Sequence, residues 1–465
     1  MENKALKSGI WYLISNFLIK GMVFITTPIF TRFLTHAEYG DYSNFLAWVS
    51  NMTILATLNL EATFARAKHD YKDKFDQYVY SVLALSSLSI LAWLAIINLF
   101  EPVVYSVTSV KTEYMNYMLI YLLFFTAVNM FQTKERVTFG YKKTVALGLM
   151  VAVSTTIVSV LMVMTWENRL DARVLGGIIP TVIIGLVVYV LISCKGKNID
   201  FSVWVYEIPI VLPYIPHLLS MTLLNSMDRT MITKYCGAEY TAIYGVAYTC
   251  AQIIQLLMNS VNSAFSPWMA DMLMENGHDK IRKVSYAYVG IFAVGAVGVI
   301  LIAPEVLLVM GGKSYLTAMY VIPPVALGCF FQFLYTLFVN VEQIRKKTVG
   351  MAFASVIAAV INFGLNMYFI PRYGYVAAAY TTLASYVCLL IMHMYLVYRM
   401  KESKVYSYKY IAAVAFGVTA LSVAINFIYE MTVLRYVTVF LYILLIGIAG
   451  WKKRTEILGI LHKKR

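Results

Sequence analysis

A chain of 465 residues with 60% hydrophobic and only 13% charged residues, at a mean hydropathy of +0.70, carries more apolar surface than one water-soluble core can hide. Its apolar runs are continuous over helix-length stretches, which excludes the short alternating strands of a membrane barrel and fits helices crossing about 30 Å of hydrocarbon. The net charge of +14 recurs in short clusters between those runs, so no nucleic-acid partner is expected, and the scattered Cys194, Cys236, Cys250, Cys329 and Cys388 suggest neither a disulfide framework nor a metal site.

Cutting the runs at charged or Gly/Pro-rich breaks predicts an all-α integral membrane protein with about fourteen transmembrane helices. The spans are 8–31, 42–64, 78–100, 114–133, 143–165, 173–194, 209–232, 240–265, 284–309, 319–341, 349–370, 376–398, 408–429 and 432–451. Lys4 and Lys7 precede the first run, which is too long for a signal-peptide core and reads as an uncleaved first helix. With the N-terminus inside, 28 of the 38 Lys and Arg fall on the inner side, nine on the outer side, and Lys20 lies within the first span. That asymmetry predicts that both termini are cytoplasmic.

The connections are too short for a folded domain, and the acidic cluster Asp70, Asp73 and Asp76 is interleaved with Lys72 and Lys74, as on a self-neutralising surface. A transporter is therefore expected, not an enzyme. An internal repeat supports this. Ala37, Glu38 and Tyr39 recur as Ala238, Glu239 and Tyr240, and Lys142 to Val145 recur as Lys346 to Val349. Asn129, Gln132, Lys134 and Arg136 match Asn340, Gln343, Arg345 and Lys347 in spacing and charge. Six spans per unit is an even number, so both units enter the membrane in the same direction. The expectation is two six-helix lobes related by a pseudo-two-fold axis along the membrane normal, plus two C-terminal helices. The corresponding units are 1–198, 199–400 and 401–465.

Polar residues within the spans mark the candidate site. Lys20 lies roughly 18 Å into the first span, at 1.5 Å per residue, on a stripe with Asn16, Thr27 and Thr31. An ammonium at that depth reads as a functional group or as half of an ion pair, with Glu61 or Asp228 as its partner. Gln252, Gln255, Asn259 and Asn262 share one face of the eighth span. The stripe reads either as interhelical hydrogen bonding or as the lining of a hydrated, sugar-binding cavity, since each amide offers a donor and an acceptor. Asn225, Asp228 and Arg229 lie near the outer end of the seventh span, and Pro209, Pro213 and Pro216 suggest that this helix is broken at its start. Arg229 is a further cavity candidate. Glu61, Asp228 and Arg32 are candidates for gating or ion coupling.

Together these segments resemble the polysaccharide-transporter branch of the multidrug/oligosaccharidyl-lipid/polysaccharide exporter superfamily, the O-antigen and capsule repeat-unit flippases. The resemblance rests on Thr27, Pro28, Thr31–Arg32, Glu38-Tyr39-Gly40 and Tyr42; on Asn225, Asp228, Arg229, Ile232 and Tyr244; and on Asn362, Asn366, Pro371, Gly374 and Ala377 to Ala379. Ala377 stands where the family often has Gly. The resemblance implies alternating access between two lobes and a polyprenyl-diphosphate-linked oligosaccharide as cargo. It also implies a bacterial inner-membrane location, with membrane lipids and the polymerase and chain-length machinery as partners. A monomer is expected, with no cofactor and with H+ or Na+ as the coupling ion. The rivals are a cation-coupled drug exporter and a peptidoglycan-precursor flippase of the same superfamily, with a membrane polymerase or glycosyltransferase behind them.

Overall fold

The computed structural model describes residues 2–138 and 140–452, apart from the side chains at 2–10, 12–14, 16, 264, 348, 449, 450 and 452. The chain is an all-α, multi-pass membrane protein. Its long helices are α1 (Glu2–Phe33), α2 (His36–Thr57), α3 (Phe75–Leu99), α4 (Thr112–Val137), α5 (Tyr141–Thr165), α6 (Arg169–Gly196) and α7 (Ile215–Tyr235). They continue as α8 (Ala238–Met274), α9 (His278–Leu301), α10 (Ile322–Ile344), α11 (Thr348–Tyr373), α12 (Tyr375–Arg399), α13 (Tyr408–Ile428) and α14 (Thr432–Lys452). Among the described residues, eleven helical segments are long and apolar enough to cross a membrane. The face where α1 begins is called the N-face below, and the opposite face the far face.

Local sequence sets several boundaries. Thr35 caps α2 in a reciprocal box: its Oγ1 accepts from the Glu38 amide at 3.2 Å, and Glu38 Oε2 accepts from the Thr35 amide at 2.8 Å. Gly237 and Gly374, at φ +107° and +76°, let the chain reverse between α7 and α8 and between α11 and α12. The three prolines act as the sequence suggests. A helix over Phe201–Val211 stops, a 3-10 turn covers Leu212–Tyr214, and α7 starts afresh at Ile215. The eighth helix departs from its expected end at 265. It continues through Pro267 to Met274 because Phe265, Met269 and Leu273 keep one buried face in the core.

Helix pairings recur with an offset of six. α1 packs on α5 as α7 does on α11, α3 on α4 as α9 on α10, and α4 and α5 on α6 as α10 and α11 on α12. α2 packs on α7 and α8, and α8 also meets α1. Two short far-face helices, Glu101–Thr108 and Ala303–Met310, occupy equivalent connections. Sequence reading left the first within a loop, because eight residues are too few for an apolar run to register as a span, and ran the second into the expected ninth span, 284–309, whose helix ends at Leu301.

Candidate functional site

Where α2 crosses α8, the two copies of the Ala-Glu-Tyr repeat meet. A Cβ on Gly40 would lie 1.7 Å from the Ala238 carbonyl oxygen, and one on Gly245 would lie 2.8 Å from Ser43 Oγ. Only glycine allows this approach. Below the crossing lies a cavity of about 360 Å³ between the halves, lined by Thr27, Tyr39, Tyr42, Arg173, Arg229 and Gln252 among others. A second cavity, of about 470 Å³, opens inside the first half between α1, α2, α4, α5 and α6. It shares Val23, Thr26, Phe30, Tyr42, Leu46 and Arg173 with the first and adds Gln132, Thr155 and Thr181.

Arg173 joins the two spaces. Its guanidinium lies 3.8 Å from the Phe30 ring centroid and 4.3 Å from that of Tyr42, and Nη1 donates to Ser159 Oγ at 3.0 Å. Gly176 makes this possible, since a Cβ there would come within 2.5 Å of the Ser159 backbone. The Nε of Arg173 is buried without an acceptor. Across the inter-half cavity, the Arg229 guanidinium sits 4.8 Å from the Tyr248 ring centroid. Neither arginine is in an ion pair among the described residues. Among the described residues, neither cavity has an acidic residue in its lining. Two cations held on aromatic faces, in no ion pair among the described residues, have the chemistry to receive an anion. Sequence reading missed Arg173 because it stands at the very start of its span and was counted with the outer-loop charges.

The other expected residues divide. Gln252 faces the inter-half cavity. Gln255 donates to Gln332 at 2.8 Å and Asn262 accepts from Asn340 at 2.9 Å, so those two amides bind α8 to α10. Asn259 is exposed. The stripe thus divides between interhelical hydrogen bonds at Gln255 and Asn262 and a cavity wall at Gln252. Lys20 is exposed and has no carboxylate partner among the described residues. It lies on the stripe of Val23 and Thr27, on the N-face side of the cavity. The Asn16 side chain lies outside the described residues. The ion pairs considered for Lys20 are not formed. Glu61 instead accepts from Asn129 at 2.6 Å, and Asp228 is enclosed in the second half.

Asp228 is 1% exposed. Its carboxylate accepts from Tyr244 Oη at 2.5 Å, Thr382 Oγ1 at 2.8 Å and Asn366 Nδ2 at 2.9 Å. Asn362 donates to Thr382 at 3.1 Å, Asn366 donates to Asn362 at 3.1 Å, and Thr381 donates to Asn366. Asn225 accepts from Tyr386 at 2.6 Å beside this cluster. The tertiary fold therefore gathers polar residues from α7, α8, α11 and α12 into one buried network.

The far face is closed by reciprocal contacts. Thr31 donates to the Met310 carbonyl at 2.7 Å, and Arg32 Nη2 approaches that of Val309 at 3.4 Å. From the other half, Lys234 donates to Ser106 O at 2.9 Å. Each short helix thus receives the end of the opposite half's first helix. Deeper, Asn44 accepts from Thr230 at 2.8 Å and Asn51 from Ser226 at 3.1 Å.

Comparison with known proteins bears on the fold. No curated protein sequence matches the chain. Among solved structures, the fold is similar to that of a lipid II flippase, MurJ, in an inward closed conformation: TM-score 0.74 at 14% identity, over 96% of this chain and 100% of that one. It is also similar to a multidrug-resistance MATE transporter of the MOP superfamily facing inward (TM-score 0.62, 12% identity, 84% and 99% covered). A third is a MOP-superfamily transporter from Pyrococcus furiosus, reported with a binding pocket of reverse polarity (TM-score 0.54, 12% identity, 86% and 96% covered). The model of the family described as polysaccharide biosynthesis protein matches residues 5–273, more than half of the chain, and the chain belongs to that family.

Proposed function

We propose that the chain is an alternating-access flippase that moves polyprenyl-diphosphate-linked oligosaccharide units from the cytoplasmic to the outer leaflet for surface polysaccharide synthesis. The observation that carries this reading is the cavity shared by Arg173 and Arg229. Two unpaired guanidinium groups suit a diphosphate, for which Arg is a bidentate partner, while Gln252 and the aromatic walls suit a sugar. The likeness to a lipid II flippase and the family match support it. In this reading residues 1–198 and 199–400 are two six-helix lobes related by a pseudo-two-fold axis along the membrane normal, and 401–465 add α13, α14 and a basic tail. The N-face is cytoplasmic, the far face is the closed outer gate, and Arg32 belongs to that gate. Asp228 is the candidate coupling carboxylate for H+ or Na+, with Glu61 a second. The protein works as a monomer among membrane lipids and hands its cargo to polymerase and chain-length machinery.

Deleting the gene should abolish surface polysaccharide and leave lipid-linked units on the cytoplasmic leaflet. Units that still reach the outer leaflet would refute the reading. Normal polysaccharide with raised sensitivity to cationic dyes would point to a drug exporter, although the acid-free cavity lining opposes that. A peptidoglycan-precursor cargo is the second reading, favoured by the TM-score of 0.74 to MurJ. Loss of viability with intact polysaccharide would select it. Cysteines at Glu38, Glu113 and Arg372 should label from outside and those at Asp73, Glu135 and Lys404 should not; the reverse pattern would overturn the orientation.

A further inference from the structure

A second titratable pair lies away from the cavity, in the N-face part of the second half. Glu342 on α10 is fully buried, and His393 on α12 is 2% exposed. His393 Nδ1 lies 2.8 Å from Glu342 Oε1. The second carboxylate oxygen, Oε2, is buried with no donor among the described residues. Arg345, one turn further along the chain, does not supply one, since its guanidinium is 2.7 Å from Glu402. Burying an ionised carboxylate with half its oxygens unsatisfied is costly unless a proton compensates it. One proton shared by Glu342 and His393 makes the pair neutral overall; removing it leaves a bare anion in an apolar core.

The pair is connected to the transport machinery. The His393 ring stacks on Tyr335 (5.5 Å between centroids, 19° between planes), and Tyr335 stacks on Tyr386 (6.2 Å, 21°). Tyr386 Oη donates to Asn225 on α7, one turn before Asp228 and Arg229. His217 stands just after the break that starts α7, and its Nδ1 is buried without a partner among the described residues. Other titratable or polar groups on the surrounding elements are Tyr248 and the amides Gln255 and Asn262 from α8, Tyr408 from α13, and Tyr406 and Glu402 from the connection before it.

We propose that Glu342 and His393 form a proton-binding site whose occupancy biases the movement of α7 relative to the rest of the second half. With the proton bound, the pair stays neutral, buried and stacked, as in the structure described. When the proton leaves to solvent at the N-face, the remaining anion favours a state in which water reaches the pair, and the ring stack passes that rearrangement to Asn225 and α7. The inference concerns a conformational equilibrium and holds whatever cargo the cavity carries.

The test is substrate-free. Spin labels at Tyr235→Cys, the exposed far-face end of α7, and Lys313→Cys, in full-length protein whose five native cysteines are replaced by alanine, report α7 against the rest of the second half in lipid nanodiscs by pulsed distance measurement. Between pH 5 and pH 8 the distance distribution of the otherwise unchanged chain should shift. His393→Gln and Glu342→Gln should each abolish the shift, and the neutral double variant covers the case in which a single change fails to fold. His217→Gln should keep the shift, with at most a moved midpoint. A pH-independent parent, a shift that survives in folded His393→Gln or in the double variant, or a shift abolished by His217→Gln alone would each overturn the proposal. A null result in the deletion strain's polysaccharide phenotype would touch the proposed cargo and leave this outcome unaffected.

Discussion

In α1–α6 the buried apolar residues fall into separate clusters, one around Tyr78, Leu83 and Met130, one around Met52, Met115 and Leu122, and a small one at Phe30 and Val163. In the second half a single cluster runs without interruption from Leu224 to Tyr429 and takes in α13. The first half holds the 470 Å³ cavity beside Arg173; the second buries Phe330, Phe333 and Phe338 and two polar groups of residues, and its own space of about 560 Å³ is an apolar groove along α11 and α12. Helix pairings that repeat with an offset of six therefore support different interiors. The repeat conserves which helices touch, and the side chains decide whether the space between them is hollow. In the proposed mechanism the hollow half shapes the cargo site and the filled half supplies a stiff body with titratable groups.

The comparison makes its strongest demand at Arg173. Arg173→Ala should remove most transport, read as surface polysaccharide in a complemented deletion strain, at normal protein abundance. Arg173→Lys should restore little, because a lysine keeps the charge and loses the planar stacking between Phe30 and Tyr42. Full transport by Arg173→Ala would place the cargo elsewhere.

In the filled half the largest expected effect is on stability. Asp228→Ala would leave Tyr244, Thr382 and Asn366 without their shared acceptor, at about 1–3 kcal/mol for each orphaned donor. The melting temperature in detergent should drop well below that of Arg173→Ala, and Asp228→Asn should fall between. Equal melting temperatures for the Asp228 and Arg173 alanine variants would erase the contrast between the halves.

The shared crossing comes next. Gly40→Leu should hold the α2–α8 crossing apart, since even a Cβ would sit 1.7 Å from Ala238 O. A cysteine at Glu38 or Ser43 should then label faster from the far face, and unchanged labelling would mean the crossing does not form the gate.

Smaller effects separate the two flanks of the amide stripe. Gln252→Ala should lower transport with no change in melting. Gln255→Ala should cost about 0.6 kcal/mol, the average for a hydrogen bond between membrane helices, with transport nearly intact. Lys20→Ala should reduce transport modestly at unchanged abundance, because the ammonium is exposed beside the cavity and leaves no carboxylate stranded.

Much of this was legible from the chain because it depends on neighbours in sequence. Apolar run lengths placed most of the long helices to within a few residues, although α2 begins six and ends seven residues before the expected 42–64, and Pro209, Pro213 and Pro216 announced the break before α7. The Ala-Glu-Tyr repeat even marked the crossing of α2 and α8, although nothing in it said that the two copies touch. Asn225 and Asp228 stood out as polar residues in an apolar span, and Asn362 and Asn366 only through the family resemblance; which of them share hydrogen bonds did not.

Sequence by itself determined that the chain is helical, membrane-embedded, internally repeated and basic, since composition and periodicity act over a few turns of one helix. Only the tertiary structure decided which polar groups are satisfied. Lys20 was the deepest cation along its own helix, yet depth is counted along one axis, and the fold left it exposed and unpaired. Arg173 looked like a loop charge, yet α1, α2 and α5 close around it. Whether a buried charge is a bond, a site or a surface depends on atoms from helices more than a hundred residues away, and those meet only when the helices pack.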